Sequence, residues 1–390
     1  MNISPNNFLK LAAKTAEHFG FRNQADFESN AECKNCTVTL KHEAKAEDRK
    51  LDGMSGLLTG GLNAYVNRKL HALTGPVFFY DIEEVPRTGE SALTLHIFNV
   101  EKSIAEAILI QTIRSLLNEI GEENHVVKIN SLGDSDSRNR YTRELTAFLR
   151  KRLDEMPPIA RELFRDHATT ALLHLIEKEH DLANKSPSPL EHLSDTSRRH
   201  FREIVEYLDM SETPYEIEPK LIGNYQCFND AIFSFDFCDE QGMIAADSPL
   251  TIKGGRYGSF FEKYLKQSIP AVGAVVILKG KKQFTPVGKH RIKKPSVHVV
   301  HLGFAPKIRS LLLIDELRRG GIMVDQDLAS DSLSTQLRKA EESGARFSII
   351  IGQKEYVDGT VILRDMIGKN QETIPLGTLI PRLKRANVLG

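Results

Sequence analysis

Residues 251–278, TIKGGRYGSFFEKYLKQSIPAVGAVVIL, decide how this chain is read. In the first half, Ile252 to Gly258 reads as a chain reversal. The Gly254–Gly255 pair lets the backbone approach another group closely or take positive φ. Phe260 to Leu265 is predicted as a short helix. Ile269 to Leu278 is apolar apart from glycine and proline, and is predicted as a fully buried strand. A glycine-rich approach, an arginine and a buried strand can form the floor of a small-ligand site. The same residues equally suit a tight turn ahead of a core strand.

Outward from that stretch, composition sets the bounds. A chain of 390 residues has room for two or three domains and a sizeable core. Hydrophobic content of 41% and charged content of 27% are ordinary for a globular protein. The 52 Lys and Arg balance 52 Asp and Glu, so the whole molecule exerts no long-range pull on nucleic acid and any such binding must come from local patches. No uninterrupted apolar run approaches the length of a spanning helix, which predicts no membrane partner. Met1 to Lys10 lacks the basic and apolar regions of a secretory signal. With only Cys33, Cys36, Cys227 and Cys238, this points to a reducing cytoplasm. Cys33-Lys34-Asn35-Cys36 spells C-x-x-C, but zinc needs four ligands and the other cysteines are distant. A redox pair would open a helix, whereas Thr37 to Leu40 reads as a strand. No metal is expected.

Gly254-Gly255-Arg256-Tyr257 followed by Pro270-Ala271-Val272-Gly273 resembles the histidine-binding and third class-defining motifs of histidyl-tRNA synthetases. The resemblance implies a substrate pocket at Gly254, Gly255, Arg256, Tyr257, Gly223 and Phe228. It also marks departures. The family's aspartate after GGRY is Gly258, and its ATP-holding Glu-Arg pair is Lys279-Gly280. Leu221 to Asn229 aligns with the family's Leu-Val-Arg-Gly-Leu-Asp-Tyr-Tyr-Thr. Its phosphate-stabilising arginine is thus Gly223, and the tyrosine that holds the substrate imidazole is Phe228. Met54 stands where the family binds the substrate amine with a glutamate. Adenylate formation needs fixed positive charge on the phosphates, and one lost group costs about a hundredfold or more.

Pro76 to Arg87 and Leu95 to Glu101 resemble the hairpin of the second class motif, joined by a loop at Thr88 to Thr94. Arg87 sits at the ATP-contacting position, Glu101 is retained, and the glutamine position is Ile97. Arg87, Glu101 and Arg256 are therefore the remnants of catalytic machinery. Asn130-Ser131-Leu132-Gly133 matches a further family run. The helix at Phe8 to Phe19, stopped by Gly20, falls where the family begins its dimer interface, which implies a homodimer. Ser103 to Ile120 repeats its apolar residues near 3.6 and ends at Gly121. Val126 to Leu132 reads as a strand.

From Ser135 to Met210 the chain is helical and highly charged, with arginines at 138, 140, 143, 150, 152, 161 and 165 among acids. A mixed-sign run suits a solvated face. It also resembles the family's helical insertion, which implies contact with a tRNA acceptor arm. Lys279 to Lys294 holds seven Lys or Arg and no acid, a join that suits either solubility or a phosphate backbone. From Ser296, short strands alternate with amphipathic helices, the pattern of a compact α/β unit. Leu317 to Asp325, Ser334 to Ala340, Ile349 to Gly352 and Gly359 to Met366 resemble the anticodon-binding domain of the His, Gly, Thr and Pro synthetases. That implies RNA contacts at Gln336, Arg338, Lys339, Glu355 and Arg364, with the cluster around Gln336 favoured.

The expected fold is α+β. A class II synthetase-type antiparallel sheet core (1–134 and 213–278) carries a helical insertion (135–212). A basic linker (279–295) leads to a three-layer α/β, mixed-sheet anticodon-binding-type domain (296–390). The expected function is a histidyl-tRNA synthetase-like protein without aminoacylation activity that binds tRNA or other RNA. No cofactor is expected, with ATP and Mg entering only if the chain is an active, diverged histidine–tRNA ligase. A regulatory partner of ATP phosphoribosyltransferase and a structural assembly partner are the other readings.

Overall fold

The computed structural model describes residues 4–27, 53–70, 73, 75–85, 88–223, 227–239, 241–245, 248–260, 268–280 and 295–386, with the side chains of 53–55 and 59 excepted. Cys33, Cys36, Arg87, the Met54 side chain, most of the Phe260–Leu265 helix and linker residues 281–294 lie outside them.

The first sheet has eight strands: β1 (Arg22–Asn23), β2 (Val77–Glu84), β3 (Ser91–Phe98), β4 (His125–Ser131), β5 (Tyr215–Ile217), β6 (Asn229–Phe237), β7 (Leu250–Arg256) and β8 (Ala271–Leu278), in the order β1-β2-β3-β8-β7-β6-β4-β5. The six central strands pair antiparallel, while both edges, β1 on β2 and β5 on β4, are parallel. The sheet is therefore mixed at its margins rather than wholly antiparallel.

Ile252 to Arg256 is not a reversal. It is the body of β7, paired on both sides, with Gly254 opposite Phe233 and Ala274 and Gly255 opposite Ile232 and Gly273. Neither glycine takes positive φ. They serve close approach instead: a Cβ on Gly254 would lie 2.7 Å from the Gly273 carbonyl, and one on Gly255 2.7 Å from the Ala231 carbonyl. The chain turns one step later, at Tyr257 and Gly258.

One face of the sheet is covered by α1 (Pro5–His18) and α3 (Ile104–Glu119). Ser4 caps α1 by accepting from the Asn7 N–H at 3.3 Å, Pro5 occupies the first turn, and Phe8, Leu9, Ala12, Ala13 and Ala16 form its buried stripe. Gly20 and Gly121 take φ of 90° and 78° after the two helices. α2 (Gly53–Asn67) lies on the opposite face, against β3 and β8. Five helices intervene between β4 and β5: α4 (Ser135–Arg150), α5 (Pro158–Asp166), α6 (Ala168–Glu177), α7 (Asp181–Asn184) and α8 (Asp195–Met210).

The second sheet comprises β9 (Val297–His301), β10 (Val324–Gln326), β11 (Phe347–Ile351), β12 (Thr360–Asp365) and β13 (Gln371–Pro375), in the order β10-β9-β11-β12-β13. The first three are parallel and the last two antiparallel. α9 (Phe304–Arg319) links β9 to β10, and α10 (Leu333–Ser343) returns from β10 to β11. Right-handed crossovers in opposite directions put these helices on opposite faces, which makes three layers. α11 (Gln353–Asp358) lies between β11 and β12. β13 is a largely exposed edge with one half-buried apolar residue, Ile374, so it shows no alternation. The last helix, α12 (Leu379–Arg385), begins after a 3-10 turn at Leu376–Thr378 that follows Pro375.

This second unit docks on α1 and α3 through α9. Ser115 donates to Asp315, Arg318 pairs with Glu119 and Asp315, and the Gln326 amide donates to the Phe19 carbonyl at 3.1 Å. At this seam burial, with Arg318 and Lys14 nearby, pushes the His18 imidazole down to about 4. Among the described residues no helix is long and apolar enough to cross a membrane.

Candidate functional site

Strand alternation decides what the GGRY residues can do. Gly255 and Tyr257 face α2, whereas Gly254 and Arg256 face α3. The six expected pocket residues therefore do not share one pocket.

On the α2 side, Tyr257 is fully buried and its hydroxyl lies 2.7 Å from His96 Nδ1. The His96 ring packs between Phe79, at 4.9 Å, and the backbone of Gly61, where any Cβ would fall on the imidazole. Burial raises the Tyr257 hydroxyl well above the usual phenol range and lowers His96 to about 3, so both are neutral. Gly223, at φ 50°, meets Phe228 and Ile232. A Cβ there would overlap Ile232, and one on Gly255 would lie 3.0 Å from the Phe228 ring. Gly223, Gly255 and Phe228 are thus brought together, and the space between them is filled by apolar side chains.

On the α3 side, Arg256 is buried and four of its five guanidinium N–H donors are engaged. Nε and Nη2 donate to the Glu106 carboxylate at 2.8 and 2.9 Å, Nη1 to the Val100 carbonyl at 3.0 Å, and Nη2 also to the Lys102 carbonyl at 3.3 Å. His200, from α8, shares the same carboxylate at 3.0 Å. Burial opposes ionisation of Glu106, but Arg256 and His200 outweigh it and hold the carboxyl at about 2. Burial likewise works against charge on His200, and Glu106 overcomes it, so its pKa is raised.

Beside this cluster is a cavity of about 970 Å³ between the sheet and the insertion, lined by Glu101, Asp134, Arg138, His200, Asp230 and Arg256 among others. Its walls are tied together by hydroxyls. Asp134 caps α4, accepting from the Ser137 N–H at 2.9 Å, and takes the Ser194 hydroxyl at 2.6 Å. Ser197 donates to Asp230 at 2.9 Å, and Asp230 holds φ 47° where β6 shifts register. The sequence reading singled out Glu101 and Arg256 here but not Glu106, Asp134, His200 or Asp230. Asp134 had a local signal, an Asp-x-x-Ser cap ahead of a helical run. Glu106 and His200 had none, since their partners are distant in sequence. Among the described residues no group of three or more His, Cys, Asp and Glu could hold a metal ion.

In the C-terminal unit, Gln336 needs correction as an RNA contact. It is fully buried, its amide oxygen accepting from the His301 N–H at 2.9 Å and its amide nitrogen donating to the His301 and Ser330 carbonyls at 3.0 and 3.2 Å. It fixes the loop before α10 and leaves no group for a ligand. Arg338 pairs with Glu342 at 2.8 Å and Lys339 with Asp327 at 2.9 Å. Glu355 accepts from the Gly352 N–H at 3.0 Å and so closes the first turn of α11. Arg364 lies half-buried on β12, between Ser348 and Gln371 on the neighbouring strands.

Residues 304–386 match the family model described as anticodon binding domain. The chain is 28% identical over 304 residues to the histidine–tRNA ligase of Thermosipho melanesiensis, a match covering 75% of this chain and 69% of that protein. The corresponding ligase of Geobacillus thermodenitrificans is 26% identical over 343 residues, covering 83% and 79%. The solved apo histidyl-tRNA synthetase of S. aureus aligns with TM-score 0.47 at 19% identity, over 84% of this chain and 82% of that one. With the GGRY and PAVG runs, the two ligase relatives and the anticodon binding domain match make the chain similar to the histidyl-tRNA synthetase family.

Proposed function

We propose that this protein binds tRNA through its C-terminal unit and does not form histidyl-adenylate. The observation that carries the reading is Arg256. Four of its five N–H donors are directed at Glu106 and at the carbonyls of Val100 and Lys102, so its charge is already paired within the chain. The pocket residues Gly223 and Phe228 supply no charge. Support for tRNA comes from the anticodon binding domain match at 304–386 and from the ligase relatives.

The proposed division is a core of 1–134 and 213–278, an insertion of 135–212, a linker of 279–295 and a binding domain of 296–390. A cytoplasmic homodimer completes the reading, and light scattering at twice the 43.8 kDa chain mass tests the dimer. The activity test is histidine-dependent exchange of pyrophosphate into ATP. Exchange at background is expected, while exchange well above it rejects the non-catalytic reading. Filter binding of bulk tRNA tests the rest: retention that falls with salt is expected, and no retention at low salt rejects it.

A further inference from the structure

A second cavity, of about 740 Å³, opens in the insertion between α4 and α5, lined by Arg150, Arg161, Arg165, Phe164 and Thr146 among others. Its size falls within the range of small-molecule sites. Arg150 sits in the last turn of α4, and Arg161 and Arg165 lie one turn apart on α5, so all three project toward one space. Among the described residues none of the three side chains makes an ion pair or hydrogen bond. Arg338 and Arg382 are held by Glu342 and Glu372, whereas exposed Arg198, Arg199 and Arg202 on α8 also lack an ion pair among the described residues. What sets the three apart is that they share one cavity. Half-buried Phe164 lies between Arg161 and Arg165 in sequence and presents a ring to the same cavity.

We propose that this cavity binds a nucleoside polyphosphate, with the three guanidiniums on the phosphates and Phe164 against the base. Guanidinium forks match phosphate oxygens in paired hydrogen bonds, and an aromatic face stacks with any base. A compact ligand is favoured over an RNA strand by the acids at the ends. Asp154 and Asp166 share the cavity wall, and the neighbouring cavity, reached past Thr142 and His167, carries Glu101, Asp134 and Asp230. A continuous phosphate backbone would run along these carboxylates, whereas one polyphosphate confined among the arginines avoids them. This proposal goes beyond the reading of the core and stands whether or not adenylate forms.

The test is calorimetric titration of the full chain with ATP, GTP and inorganic tripolyphosphate, histidine omitted. Both nucleotides are expected to bind, and tripolyphosphate more weakly. The double variant Arg161→Ala/Arg165→Ala should lose at least about tenfold in nucleotide affinity, with an unchanged melting temperature to show that it folds. Phe164→Leu should narrow the gap between ATP and tripolyphosphate, and Arg202→Ala on α8 should change nothing. No binding at millimolar nucleotide overturns the proposal. So does nucleotide binding that the double variant leaves intact, which would locate the ligand in the core. A double variant that weakens tRNA retention while the parent chain ignores nucleotide would assign the cavity to RNA and likewise overturn it. Because histidine is absent, each of these outcomes is distinct from the pyrophosphate-exchange result.

Discussion

Arg256 and the insertion arginines carry the same chemical group in opposite circumstances. Arg256 is buried, with four of its five donors directed at a carboxylate and two carbonyls of its own chain. Arg150, Arg161 and Arg165 are exposed and, among the described residues, without partners. The residue inside the family motif is thus largely committed to its own chain. The arginines in a stretch that reads as a solvated helical face are the ones available. A motif says which residue types survive, and packing says whether their chemistry is available.

The comparison breaks most sharply at Glu106. Glu106→Ala leaves Arg256 buried without its partner, and removing one member of a buried ion pair costs about 3–5 kcal/mol. Chemical denaturation should register a loss of that order. Arg161→Ala/Arg165→Ala, which removes two charges without internal partners, should stay within about 0.5 kcal/mol of the parent. A small effect at Glu106 would mean that Arg256 is free to turn elsewhere, and the reading of the core would fail with it.

The next effect belongs to the paired glycines. Gly254→Ala drives a methyl to 2.7 Å from the Gly273 carbonyl, with the Phe233 ring closer still. Neither can retreat within a paired strand, so an overpacking cost of about 1–3 kcal/mol is expected in a thermal melt. If the alanine variant is as stable as the parent, β7 does not pass between β6 and β8 as described.

Gln336→Ala should cost a similar or smaller amount, about 1–3 kcal/mol, because it strands the N–H and carbonyl of His301 in a buried setting. The variant also sharpens the contrast between motif and availability. tRNA retention, measured where the variant remains folded, should depend on Gln336 only through stability. A loss of retention in a fully folded variant would return Gln336 to the RNA surface.

How much of this was legible follows from sequence distance. The strand at 77–84 is read from its resemblance to a family motif, while α1, α3 and the strands at 125–131 and 271–278 announce themselves by local pattern and by the glycines that stop the helices. β7 did not, because a Gly-Gly pair has two physical uses. Positive φ and close approach leave the same letters, and only the strands on either side choose between them. Gln336 failed for a related reason. An amide at a helix start reads as polar surface, and nothing local reveals that the backbone of His301 waits 35 residues upstream. The Arg256–Glu106–His200 cluster joins β7, α3 and α8, three elements whose adjacency is a property of the fold.

The smallest expected effect is the pH dependence of that cluster. His200 faces Glu106, Arg256 and Asp230, and Glu106 raises its folded pKa above the unfolded value near 6.5 despite burial. A histidine raised in this way adds stability that is fully present below 6.5 and lost as pH rises through the folded value. The whole chain will not display this cleanly, because His18 and His96, lowered to about 4 and about 3, lose stability as pH falls below 6.5. The difference between the parent and His200→Gln removes that background, since both carry His18 and His96. The gap should be widest near pH 6 and shrink on the alkaline side, by no more than about 1.4 kcal/mol per unit of pKa shift. A gap that widens with rising pH would reverse the sign and mean that His200 is held neutral against Arg256 rather than charged against Glu106.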